Sequence, residues 1–129
     1  MKFAYTILYV SNVAESAAFY QKAFGFSQKF ITPEQDYAEL ITGETCIAFA
    51  SVELGNANFK DGFELSAPNR KPFGIELAFT SETLEADFAR AVQAGATVVT
   101  PVTQKPWGQQ VGYVRDNNGF LIELCSPMS

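Results

Sequence analysis

Residues 7–26 read ILYVSNVAESAAFYQKAFGF, and residues 76–96 read ELAFTSETLEADFARAVQAGA. In the first stretch, aromatic and β-branched residues end at Ser11-Asn12, so a strand over Tyr5–Val10 is predicted. Asn12 offers an N-cap, and Glu15 stands three residues later, as in a capping box. Val13, Ala17, Tyr20 and Phe24 then recur at spacings that place them on one helical stripe, and Gly25 closes the helix. The second stretch repeats the plan. A strand is predicted over 73–79, Thr80-Ser81 opens a helix over 82–94 with Leu84, Phe88, Ala91 and Val92 as its apolar stripe, and Gly95 ends it. Gly25 and Gly95 stand 70 residues apart, as do Ser11 and Ser81.

Outward from each helix, three short strands follow. In the first half they are predicted over 26–32, 37–42 and 45–51, with Pro33-Glu34 and Gly43-Glu44 in the turns. In the second half they cover 97–100, 109–115 and 120–125, the last two joined by Asp116-Asn117-Asn118-Gly119. The chain is therefore predicted to be α+β: two βαβββ modules from an internal duplication. One domain is expected over 1–129, with module one at 1–52, a connecting loop at 53–72 and module two at 73–129. The loop assignment rests on Gly55, Asn56, Asn58, Gly62, Pro68, Asn69 and Pro72. One helix cannot cover both faces of a four-stranded sheet, so each module leaves a face for a second sheet, another chain or a ligand.

Composition narrows the function. The 129 residues are 47% hydrophobic and include twelve Phe, enough to bury a core without disulfides. Net charge is −5, and the nine basic residues are scattered, so no nucleic-acid partner is expected. No apolar run approaches the roughly 20 residues of a membrane helix. With no leader peptide expected either, a cytoplasmic protein without membrane contact is predicted. Cys46 and Cys125 lack metal or redox spacing and read as small core residues. There is no histidine. That removes the usual partner of a Ser or Cys nucleophile and the commonest nitrogen ligand of transition metals.

The order βαβββ–βαβββ, with Phe19-Tyr20, Phe24-Gly25-Phe26 and the closing KPWGQQVGYVRDNNGFLIEL at 105–124, resembles the vicinal-oxygen-chelate superfamily of glyoxalases, bleomycin-resistance proteins and extradiol dioxygenases. The resemblance implies curled mixed sheets forming a cup-shaped half-barrel with helices outside. Its metal-dependent members hold the ion with His or Glu from the first and fourth strands of each half. Those positions fall here on Tyr5, Ala48, Glu76 and Glu123. A phenol with a pKa of about 10 is a poor ligand at neutral pH, and Ala48 offers none. Two carboxylates fall short of what zinc, nickel or iron requires. No metal and no cofactor are expected.

By alternation Glu76 shares a strand face with the small residues Gly74, Ala78 and Thr80, which suits a cavity wall, and Glu123 shares a face with Leu121 and Cys125. Two readings stand for them: an anchor for a cationic or hydrogen-bonding ligand, or carboxylates satisfied by Tyr5, Gln109, Gln110 or Arg115. Glu39 reads as a solvated strand residue. Trp107 is read either as facing the pocket or as capping the core. Phe59 and Phe63 are read as anchors of the loop or as a stacking lid. The resulting expectation is metal-independent sequestration of a small, partly aromatic or cationic molecule by a homodimer that is not an enzyme. This is the character of the bleomycin-resistance branch and of antibiotic resistance, with Tyr5, Ala48, Phe59, Phe63, Glu76, Trp107 and Glu123 around the ligand. The alternative is a glyoxalase-type lyase, isomerase or dioxygenase using Glu76 and Glu123 as residual ligands, or Glu76 as a base.

Overall fold

A computed structural model describes residues 1–128. The elements run β1 Tyr5–Val10, α1 Val13–Phe24, β2 Ser27–Ile31, β3 Tyr37–Ile41, β4 Cys46–Ser51, α2 Val52–Asn58, β5 Glu76–Thr80, α3 Leu84–Gln93, β6 Thr97–Gln104, β7 Gln110–Arg115 and β8 Leu121–Cys125. They form two four-stranded mixed sheets of the same topology, β1-β4-β3-β2 and β5-β8-β7-β6. In each, the first and last strands pair in parallel and the remaining pairs are antiparallel. Two compact units result among the described residues: residues 1–21 with 25–65, and residues 22–24 with 66 onward.

The first helix starts and stops where its sequence demands. Asn12 accepts a hydrogen bond from the Glu15 amide at 2.9 Å, and Gly25 takes a left-handed conformation. Val13, Ala17 and Tyr20 are buried, and Tyr20 meets Phe49 of β4 edge-on with ring centroids 4.9 Å apart. Strand register places Leu8, Phe49 and Ala38 side by side, all buried. In the second unit, Leu77 lies beside Ile122 and Val114, and Phe79 beside Leu124 and Gly112. Phe88 of α3 lies against Gly112, so this is the helix-covered face. The residues between, in both sheets, point to the opposite, open face.

Four expectations need correction. The segment expected as a loop over 53–72 opens with a helix, α2, capped by Ser51, whose Oγ accepts from the Leu54 amide at 3.2 Å. The strand expected over 73–79 begins only at Glu76, which leaves Ile75 outside it and exposed. Val92 is likewise exposed, because α3 seats itself through Leu84 and Ala91. The strand expected over 97–100 continues to Gln104, carried past Pro101 by an irregular register against β7. No helix is long and apolar enough to cross a membrane among the described residues.

Candidate functional site

On the open face of the second sheet, register sets Ala78, Glu123 and Tyr113 in a row across β5, β8 and β7. Glu76 sits one row away on β5. Hydrogen bonding toward Glu123, then partial burial, then the negative charge of Glu123 raise the Glu76 pKa above its ordinary value. The Tyr113 hydroxyl donates to Glu123 Oε1 at 3.1 Å. Burial first, and the bond to Glu123 second, push the Tyr113 phenol up and the Cys125 thiol to about 11. Phenol and thiol therefore remain protonated at neutral pH, the phenol donating to Glu123 and the thiol to the Phe79 carbonyl.

On the open face of the first sheet, Ile7, Ala48 and Glu39 form the corresponding row across β1, β4 and β3. Here the carboxylate comes from β3 and faces Ala48, whereas Glu123 comes from β8 and faces Tyr113. Glu39 is only 7% exposed. It accepts from the Tyr37 hydroxyl at 2.7 Å and pairs with Lys29 at 3.8 Å. A register shift between Gln28 and Phe30 inserts Lys29 as an extra residue in β2, which aims its side chain at Glu39. Burial and then Glu39 push the Tyr37 phenol upward, and burial followed by the Glu39 charge does the same to the Cys46 thiol.

Of the predicted site residues, Glu76 and Glu123 are brought together, and neither takes the partners expected for it. Arg115 spends its guanidinium on the carbonyls of Ala67, Pro68, Arg70 and Gly119, and Gln109 bonds Trp107 and the Ser126 carbonyl. Tyr113 takes their place. Glu39 is buried and paired rather than solvated, because β3 lies inside its sheet. Ala48 is buried and Tyr5 exposed, both on the first sheet's open face. Phe59 and Phe63 converge on Tyr9, at centroid distances of 5.8 and 4.9 Å, which anchors the segment after α2 to its own unit. Gly55 makes room for this: a Cβ there would lie 2.7 Å from Phe63 Cζ. Trp107 is 63% exposed and donates to Gln109 at 2.9 Å, so it does not cap the core.

The family model of the Glyoxalase/Bleomycin resistance protein/Dioxygenase superfamily matches residues 2–124. The chain belongs to this superfamily. Among the similar proteins of this glyoxalase superfamily, an uncharacterized protein of Mycobacterium bovis is 29% identical over 123 residues, covering 94% of this chain and 80% of its own. A glyoxalase-related enzyme from Fulvimarina pelagi superposes with a TM-score of 0.82 at 22% identity, over 98% of this chain and 88% of its own. A family enzyme from Burkholderia phytofirmans PsJN gives a TM-score of 0.76 at 18% identity, over 99% of this chain and 100% of its own. These likenesses establish the shared fold.

The donor set of this glyoxalase-superfamily member does not fit a resident transition metal. Glu76 and Glu123 are only two carboxyls, their neighbouring phenol and thiol hold their protons, and Ala48 has nothing to offer. Among the described residues, no three His, Cys, Asp or Glu side chains are grouped to hold an ion.

The pair has a consequence for stability against pH. A carboxyl whose pKa rises on folding adds stability that is complete below its unfolded value, near 4.5, and is lost as pH rises through the folded value. Glu76→Gln removes that loss. Because Glu76 is exposed, the gain is screened to below about 1 kcal/mol, a few °C in Tm. Thermal melts from pH 4 to 8 should show the variant gaining on the wild type as pH rises. Parallel curves would mean that Glu123 does not raise the Glu76 pKa.

Proposed function

We propose that this superfamily member binds a small, partly aromatic or cationic molecule without a metal, in the manner of the bleomycin-resistance branch. The observation that carries this is the neighbouring carboxyl pair Glu76–Glu123 on an open sheet face, where Glu123 raises the Glu76 pKa. A cationic group arriving there meets two carboxylates, and a hydrogen-bond donor meets the same oxygens. Tyr113 orients Glu123 from one side, and Ala78 on its other side leaves room above the sheet. Exposed Trp107 of the same unit offers aromatic surface for stacking.

Native mass spectrometry of the untagged protein, as purified, tests this. A homodimer carrying an organic mass and no metal is expected. A stoichiometric transition metal that disappears in Glu76→Gln or Glu123→Gln sinks the proposal.

A second reading draws on the raised Glu76 pKa. A carboxyl nearer neutrality is a better proton acceptor, suited to removing a proton next to a carbonyl. Turnover of an α-proton substrate, rising with pH through the Glu76 pKa and absent in Glu76→Gln, would favour catalysis over sequestration.

A further inference from the structure

We propose that the first unit carries a ligand site of its own, for a flat apolar molecule bearing one carboxylate. It is independent of the Glu76–Glu123 pair. A cleft of about 470 Å³ lies at the end of the first sheet and is lined by Lys2, Phe3, Tyr5, Lys29, Ile41 and Cys46 among others. That volume falls in the range of small-molecule sites.

Part of the solvent-facing wall is apolar. Phe3, Tyr5 and Ile41 are 68%, 55% and 56% exposed. Tyr5 and Ile41 flank Cys46 in register across β1, β4 and β3, so all three point to the same side of the sheet. One exposed aromatic is ordinary, but several bulky apolar groups around one concavity mark an interaction site. The Cys46 thiol, held protonated by burial, lines the cleft and is no nucleophile.

The charge chooses the occupant. Lys2 and Lys29 are two of only nine basic residues in a chain of net charge −5, and both border this cleft. One carboxylate, Glu44, also borders it, so the lining side chains sum to a single positive charge. Lys29 is tied to Glu39 only at 3.8 Å, with its side chain 62% exposed, and Glu39 already has the Tyr37 hydroxyl. With its side chain that exposed, the Lys29 ammonium can meet an incoming anion while it stays paired with Glu39. Remote acidic residues are screened beyond about 8 Å at physiological salt, so the local lysines decide. Two ammonium groups beside Phe3 and Tyr5 match an aromatic monocarboxylate.

The test uses 2-naphthoate, with neutral 2-naphthylmethanol as its uncharged counterpart, followed by amide shifts in NMR on the whole chain. Naphthoate should perturb Phe3, Tyr5, Ile41 and Cys46, and should bind about tenfold more tightly than the alcohol. Lys2→Gln with Lys29→Gln should abolish that preference. Glu76→Gln should leave it intact, which separates this site from the one proposed above. Equal binding of acid and alcohol, or binding indifferent to both lysine changes, overturns the proposal. So does broadening of the same four amides with protein concentration alone, which would assign the cleft to a second copy of the chain.

Discussion

Gly119→Ala is expected to lower stability by about 3 kcal/mol, combining the cost of a left-handed alanine with that of overpacking. Gly119 has φ +87°, and a Cβ there would lie 2.5 Å from the Ala67 carbonyl oxygen and 2.6 Å from its carbon. Both are backbone atoms, and neither can step aside cheaply. Arg115 holds that backbone in place, bonding the Gly119 carbonyl at 2.9 Å, Ala67 at 3.1 Å and Arg70 at 2.7 Å. Ser66 adds a bond to the Asn118 carbonyl at 2.8 Å. The turn also sets the Tyr113–Glu123 pairing, since Asp116 and Phe120 close the hairpin on which both stand. For a chain this size, the loss corresponds to a Tm lower by roughly 10 °C. A melt within 2 or 3 °C, roughly the effect of an ordinary surface change, would show that the 66–70 segment moves away freely.

Phe49→Ala should cost about 3–5 kcal/mol, the usual range for a fully buried aromatic. Phe49 is wholly buried on β4, stands between Leu8 and Ala38 in register, and takes the edge of Tyr20. Truncation leaves a cavity bounded by paired strands, which cannot collapse into it without breaking ladders on both sides. Urea unfolding should shift by that amount, and amide exchange at Leu8, Ala38 and Leu40 should quicken. A shift below about 1 kcal/mol would mean that the helix and sheet repack around the gap.

Much of this fold was legible because its signals are local. Asn12 with Glu15, the stripe Val13-Ala17-Tyr20 and the closing Gly25 each act within a turn or two of helix, and the repeat 70 residues on states the plan twice. The helix α2 was not legible. VELGNAN contains a glycine and two asparagines, and it is helical because Ser51 caps it and because Gly55 admits the Phe63 ring. Ile75 and Val92 follow the right periodicity but fall where the element has not begun or where nothing covers it.

The site divides in the same way. Glu76 and Glu123 stood out as carboxylates among apolar residues. Their meeting depends on the parallel β5–β8 register, which local sequence does not encode. Tyr113 was within reach of counting, since Tyr113 and Glu123 are equidistant from the turn closed by Asp116 and Phe120. Glu39 was misread because composition alone exposes glutamate, whereas a central strand flanked by Tyr37 and Lys29 accepts it buried.

The different strands that supply the two open-face acids suggest how such a protein changes its chemistry over generations. Glu39 faces Ala48 across one ladder, and Glu123 faces Tyr113 across the matching ladder of the other sheet. Residues that oppose each other share one patch of surface, so an acid lost from either strand can be regained from its neighbour. A lineage can therefore exchange the strand that supplies the charge while the patch itself keeps it. Comparing relatives column by column would score such an exchange as two unrelated losses, although what the ligand meets has scarcely moved.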